Sequence, residues 1–423
     1  MRSPFAISGG GLRIGDCAGA FGTIIGSWFF AASVLAHTRE ELSGRRETWR
    51  CTSLSEQHDN GDHQRRSQVG DERLSVDNKG DSPAMSVVVI TPDDFALIKR
   101  TVEHLQAQTV CHRLELLIVA PSTGPLQDYV TQSVDFCRVR IVEVEEVEST
   151  AQANAAGVRA ATAPVVAFVE GHVYPEPSWA EALIAAHEEA WAVVGPVVRN
   201  ANPESALSWM DLIVGYTPWL EFASAGSVEH LPAHNSSYKR AVLLEYDHEL
   251  EAALASESVL HWDMRRIGYE LYLEPAARIA HLNTSRPVSL ARQMFCSGRV
   301  FAATRAGEWS RPRRLLYAGG APLIPAVRFP RILPQLLKAR RQCDVPLGIA
   351  PLILLALGVS AMGELMGYAL GEGDAQRRMR DMDFHRKQHV REQDISLLAD
   401  VEPCQPAQCP KTGSTPDSRR NDP

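Results

Sequence analysis

Four short apolar runs, Ser86–Ile90 (SVVVI), Leu114–Val119 (LELLIV), Val139–Val144 (VRIVEV) and Val165–Val169 (VVAFV), punctuate the first half of this chain. The first and the fourth are too short to need a helix and rich in β-branched residues, so they predict buried strands, and the other two read as strands as well. Between the first two, Leu97, Ile98, Val102 and Leu105 fall on one face of a helix, and before the fourth an Ala-rich stretch, Ala151–Ala161, supplies another. Alternation of strand, helix and strand predicts a parallel sheet with crossover helices, a doubly wound α/β core. In such a sheet ligands bind beyond the carboxyl ends of the strands.

The fourth run delivers Glu170 and His172 to that edge, after which Pro175 and Pro177 stop the strand and Ser178 is placed to cap a helix beginning near Trp179. An acid and an imidazole two residues apart at a strand end are placed for chemistry; the bland reading is a solvated strand terminus. Matching parts downstream favour the first. A helix over 180–190, a strand over 192–198 and a helix around 206–220 lead to a polar loop holding Asn235 that opens onto a helix, and the stretch 256–283 reads as helix, turn at Gly268, strand and His281.

A net charge of −8 argues against a general nucleic-acid binder, which would present a basic face. The eight cysteines have no paired spacing, and Cys404 with Cys409 lacks the second pair a zinc ribbon needs, so they read as reduced cytosolic thiols. Residues 17–36 are apolar over about the ~20 residues that span a bilayer, without a cleavable exit, and are either a signal anchor or an artefact. Four arginines follow that segment and two precede it, which leaves the rest of the chain at the cytoplasmic face of the membrane. Residues 37–83 are too polar to order themselves, so 1–84 is expected to be an extension ahead of a functional start near Met85. Residues 311–342 are basic and Pro-broken, and 346–363 are apolar with basic flanks on both sides, compatible with a crossing, an interfacial hairpin or a buried core helix. Membrane association is the expectation for 306–370, and fraying for the polar tail 371–423.

In order and spacing, the parts from Met85 to Arg305 resemble the family 2 glycosyltransferases of GT-A fold. They are Ile90-Thr91-Pro92, Asn154, Glu170-Gly171-His172 followed by Pro175 to Trp179, the loop His234 to Arg240, Ser256-Glu257, then Leu260, Trp262, Arg265, Arg266, Gly268, Tyr269 and His281. Glu170-Gly171-His172 stands where the family has D-x-D, Ser256-Glu257 where it has E-D, and its acidic turn after the second strand is here Ala120 to Thr123. The resemblance implies a GT-A type mixed sheet over 85–305 and inverting transfer from a nucleotide-sugar donor to a glycan or lipid-linked acceptor. It implies donor contacts at Pro92, Asp93, Asn154, Glu170 and Asn235, with Tyr238 against donor or acceptor, and Glu257 as the base that takes the acceptor proton. It also implies a divalent cation, Mn2+ or Mg2+, on Glu170, His172 and His281, with the imidazoles leaning toward manganese. Arg292, Gln293 and Arg299 either approach the leaving diphosphate or form a basic face against a membrane. The alternatives are a degenerate domain that binds without turnover and a nucleotidyltransferase, though the latter wants a glycine-rich basic loop that Thr91 to Phe95 does not offer.

Overall fold

The computed structural model describes residues 75–77, 82–92, 95–126 and 135–399. The expectations for residues 17–36, for Asp93 and for the end of the tail lie outside the described residues. The first half supplies β1 (Ser75–Asp77), β2 (Met85–Ile90), α1 (Phe95–Gln106), β3 (Leu114–Ala120), β4 (Arg138–Glu143), α2 (Thr150–Ala160), β5 (Val165–Phe168), β6 (Val173–Pro175), α3 (Trp179–Ala186), β7 (Val193–Asn200) and α4 (Ala206–Tyr216). The second supplies β8 (Gly226–Val228), β9 (Ser237–Lys239), α5 (Arg240–Leu244), α6 (Leu250–Leu254), α7 (Glu257–Arg266), β10 (Leu271–His281), α8 (Pro287–Arg305), α9 (Arg311–Gly320), α10 (Ile324–Gln342), α11 (Ile349–Leu370), α12 (Ala375–Phe384) and α13 (Ser396–Ala399).

All the described strands form one mixed sheet in the order β1-β4-β3-β2-β5-β9-β7-β10-β6, with β8 pairing β10. From β2 the chain steps to β3 and β4, then returns through α2 to place β5 on the other side of β2, and β2, β3, β4 and β5 are mutually parallel. The order therefore reverses between β2 and β5, and the right-handed crossover rule puts α1 and α2 on opposite faces. That reversal opens a crevice at the carboxyl ends of β2 and β5. α2 lies close on the sheet because Gly157 has no Cβ, which would meet Val88 Cγ1 at 2.6 Å.

Three local expectations change. The loop at Asn235 does not run straight into a helix: β9 intervenes, antiparallel to both β5 and β7, and three residues are too few to carry a periodic signal. Pro330 and Pro334 do not break the basic segment, because α10 runs continuously through both, which stand at exposed positions. Ser178 stands at the N-cap of α3 without a side-chain capping bond.

The tail is the larger correction. Residues 375–398 are ordered onto the domain, with Val390 and Leu398 packed against Tyr174, Ala280 and Leu282. Arg380 Nη1 donates to the carbonyls of Val147 and Glu148, and Tyr174 Oη donates to Leu397 O. Long side chains reaching backbone acceptors across the fold, with few apolar anchors, hold a segment that composition alone marks as solvated.

Two buried imidazoles make the fold acid-sensitive. His261 Nδ1 accepts from Leu231 N–H at 3.2 Å, so its Nε2–H faces Tyr238 Oη at 2.9 Å, and a second ring proton would point at an amide N–H. Burial, then the neighbouring His230, pulls its pKa down to about 3, and burial followed by Lys239 pulls His187 down to about 4. Both folded values lie below the unfolded value of ~6.5, so this stability is present above ~6.5 and is lost as pH falls. At pH ~5 each costs about 2 kcal/mol. The urea midpoint is expected to drop between pH ~7 and ~5, with a smaller drop in His261→Gln, whose amide can still accept from Leu231 and donate to Tyr238. Equal drops in both proteins would contradict this.

Candidate active site

β5 ends at Phe168, and Glu170, Gly171 and His172 form a turn closed by Val173 N–H donating to Glu170 O at 3.0 Å. A Cβ on Gly171 would sit 3.0 Å from Ile98 Cγ2, so the glycine lets this turn approach α1. The chain then enters β6, which pairs antiparallel with the end of β10 and places His281 opposite Val173. The ligand atoms of Glu170, His172 and His281 consequently lie within 4.8 Å of one another.

The hydrogen-bond network sets the chemistry of this cluster. The Asn283 side-chain amide donates to Asn200 Oδ1 (2.9 Å) and His281 O (3.0 Å), so its Oδ1 is the acceptor 2.8 Å from His281 Nδ1. The Nδ1 proton is therefore committed, and the Nε2 lone pair faces Glu170 Oε2 at 3.6 Å. Asn235 grips the same carboxylate, its Nδ2 donating to Oε2 at 2.7 Å while its Oδ1 accepts the Glu170 N–H at 3.2 Å. Burial would raise the Glu170 pKa, but His172, His281 and His234 around it hold it well below the ordinary carboxylate range. Burial, with Arg386 beside it, holds His172 well below the ordinary imidazole value, so it is neutral and able to ligate. An anionic oxygen and a nitrogen lone pair facing each other repel unless a cation lies between them, and the residues present fit a divalent ion. One carboxylate and two imidazoles suit Mn2+ or a later transition ion better than Mg2+, which prefers oxygen.

This cluster forms part of the wall of a cavity of about 680 Å³, a size suited to a small-molecule ligand. Pro92 and Asn154 line it, as do Ser149 and Thr150 at the N-terminus of α2, where Ser149 Oγ caps Gln152 N–H. Glu257 opens α7, and its neighbours Ser256 and Ser258 line the same cavity.

Other candidates stand apart from this arrangement. Tyr238 is fully buried with its hydroxyl on His261 and supports the core. Gln293 reaches the wall, but its Nε2 donates to Asp211 and its Oε1 accepts from Thr284, while Arg299 Nε donates to Gly371 O. The buried cation beside the cluster comes from the tail instead. Arg386 donates from Nε and Nη2 to Leu282 O at 3.2 and 2.6 Å, with Nη1 3.9 Å from Asp383. Burial, then the Glu170 charge, pushes Asp383 up to about 7. Nothing in the sequence distinguishes Asp383 and Arg386 from a solvated i,i+3 pair.

Residues 86–247 match the model of glycosyl transferase family 2. The chain is 32% identical over 132 residues to validoxylamine A glucosyltransferase of Streptomyces hygroscopicus subsp. jinggangensis (strain 5008), covering 29% of this chain and 31% of that protein. It is 27% identical over 129 residues to probable polypeptide N-acetylgalactosaminyltransferase 8 of Homo sapiens, covering 28% and 20%. The chain thus spans less than a third of the length of these relatives. Among solved structures, the mannosyltransferase PcManGT from Pyrobaculum calidifontis in complex with GDP-Man and Mn2+ aligns over 87% of this chain and 99% of that one, at 14% identity and a TM-score of 0.39. The family match ends before Glu257 and His281, so the placement of those two rests on the fold of this chain.

Proposed function

We propose, from the premise that residues 86–247 belong to glycosyl transferase family 2, that this protein is an inverting, cation-dependent glycosyltransferase using a nucleoside diphosphate sugar. The observation that carries the reading is the meeting of Glu170, His172 and His281 within 4.8 Å at the strand ends, beside the N-terminus of α2. In this reading Glu170 and the two imidazoles hold a divalent cation, which supplies positive charge against the diphosphate. The α2 N-terminus and Arg386 add fixed positive potential on the same cavity. Pro92 and Asn154, which line the cavity, form the donor wall, Asp93 is proposed as a further donor contact, and Asn235 positions Glu170. Glu257 takes the proton of the acceptor hydroxyl as its oxygen bonds to the anomeric carbon; the bond from that carbon to the diphosphate breaks, and its electron pair leaves with the nucleotide. The acceptor is proposed to be a glycan or a lipid-linked saccharide at the cytoplasmic face of a membrane.

Calorimetry with a panel of UDP- and GDP-sugars, with Mn2+ and with chelator, tests the reading, and the anomeric configuration of product by NMR tests inversion. Binding only with Mn2+ is expected; a panel that never binds would end the proposal, and binding without transfer to any acceptor would favour a non-catalytic domain. Asn283→Leu is expected to weaken Mn2+ binding by ~10–100-fold through loss of the His281 Nδ1 partner. Unchanged Mn2+ affinity in a folded Asn283→Leu protein would detach His281 from the metal.

A further inference from the structure

Among the described residues one helix, α11, is long and apolar enough to cross a membrane, at 22 residues with an 18-residue stretch of mean hydropathy 1.9. Its inner face is already committed. Ile353, Leu357, Ser360 and Glu364 are buried, and Glu364 pairs with Arg328 of α10 at 3.9 Å. Against α8 the two backbones touch: a Cβ on Gly298, Gly363 or Gly367 would overlap the carbonyl oxygens of Ser360, Phe295 and Arg299. α8 also carries Gln293 and Phe301 of the cavity wall, so moving α11 out to span a bilayer would dismantle that wall.

What α11 leaves outside is an uncharged stripe, Leu354, Leu355, Met362 and Leu370, with Leu355 67% and Leu370 68% exposed. The two helices beside it continue this character. Leu315 and Leu316 project from α9, Leu323 from the turn after it, and Leu333 and Leu337 from α10. Among the described residues, ten of the twelve large exposed hydrophobic residues, all but Ile267 and Val288, thus fall between residues 311 and 370. Such concentration marks an interaction surface rather than ordinary scatter. Its charge names the partner: residues 306–370 carry eight Lys and Arg against three Asp and Glu, in a chain whose net charge is −8. Arg311 opens α9 and Arg340 and Arg341 close α10, all exposed, so the leucines are rimmed by cations.

We propose that the outer faces of α9, α10 and α11 dock this protein in the plane of an anionic phospholipid bilayer, leucines among the acyl chains and arginines at the phosphates. The protein lies on the membrane through this face and does not cross it there. The inference is independent of the sugar-transfer reading, because binding to lipid needs no donor.

The test uses the full chain with vesicles of phosphatidylcholine alone or mixed with phosphatidylglycerol. Cosedimentation is expected with the mixed vesicles and is expected to weaken with salt and without the anionic lipid. Leu316→Glu/Leu355→Glu should lower partitioning on the order of 100-fold, since charge replaces buried hydrocarbon on the docking face. Arg340→Gln/Arg341→Gln should lower it about five-fold per charge removed. A fluorophore on Met362→Cys should be quenched by shallow rather than deep spin-labelled lipids. Wild-type partitioning by the folded double-Glu variant, quenching from the bilayer centre, or a detergent-free dimer that the double-Glu change splits would each overturn the proposal.

Discussion

Glu257→Gln is expected to lower sugar transfer by ~10²–10⁴-fold while nucleotide-sugar affinity stays nearly unchanged. The amide preserves shape and hydrogen bonding but cannot take the acceptor proton, so the loss belongs to the chemical step alone. Glu257 begins α7 between Ser256 and Ser258, two residues that line the cavity holding Glu170. Glu257→Asp, one methylene shorter, is expected to keep partial activity. Steady-state kinetics beside calorimetry separates the terms, and transfer at wild-type rate by Glu257→Gln would move the base elsewhere. Asp383, which lines the same cavity, would then be the first acid to replace.

The second large effect has a different signature. Glu170→Gln removes the anionic member of the proposed set of three ligands, and is expected to weaken Mn2+ by more than the ~100-fold that loss of a supporting partner can cost. Donor binding and turnover should fall together, because the proposed cation would serve donor binding, ahead of the chemical step. His172→Ala should follow the same pattern. The substitution at Glu170 also leaves the Asn235 Nδ2 proton without its anionic acceptor, so thermal melting must accompany the titration. If Glu170→Gln bound Mn2+ and nucleotide sugar as the wild type does, the cluster of carboxylate and imidazoles would not be the metal site.

The differing fates of the predicted residues have physical causes. Glu170 and His172 were legible because a buried strand announces itself through a local run of β-branched residues, and the chain must then turn at the sheet edge. His281 was reached through the order of parts, although its tautomer depends on Asn283 and Asn200, which the adjacent ends of β10 and β7 bring together. Tyr238 read as a ligand contact and became core, since only the packing of β9 beside β5 and β7 turns its hydroxyl to His261. Asn235 meets Glu170 for the same reason: the short strand β9 follows it closely and pairs with β5.

By itself the sequence determined where the buried strands and their crossover helices lie, because burial on both faces requires short apolar runs and a reversing order requires long connections. It also determined which side chains stand at the strand ends. Only the tertiary structure decided what surrounds them. Arg386 and Asp383 come to the cavity from a segment whose composition is that of a solvated tail, held there by carbonyl acceptors and a few apolar contacts that no local pattern encodes. The face of α11 that meets water was equally undetermined, since the helix is apolar on every side and its two polar residues, Ser360 and Glu364, turn inward. Its buried side is chosen by glycines that admit the backbone of α8, and its outer side is whatever that close contact leaves exposed.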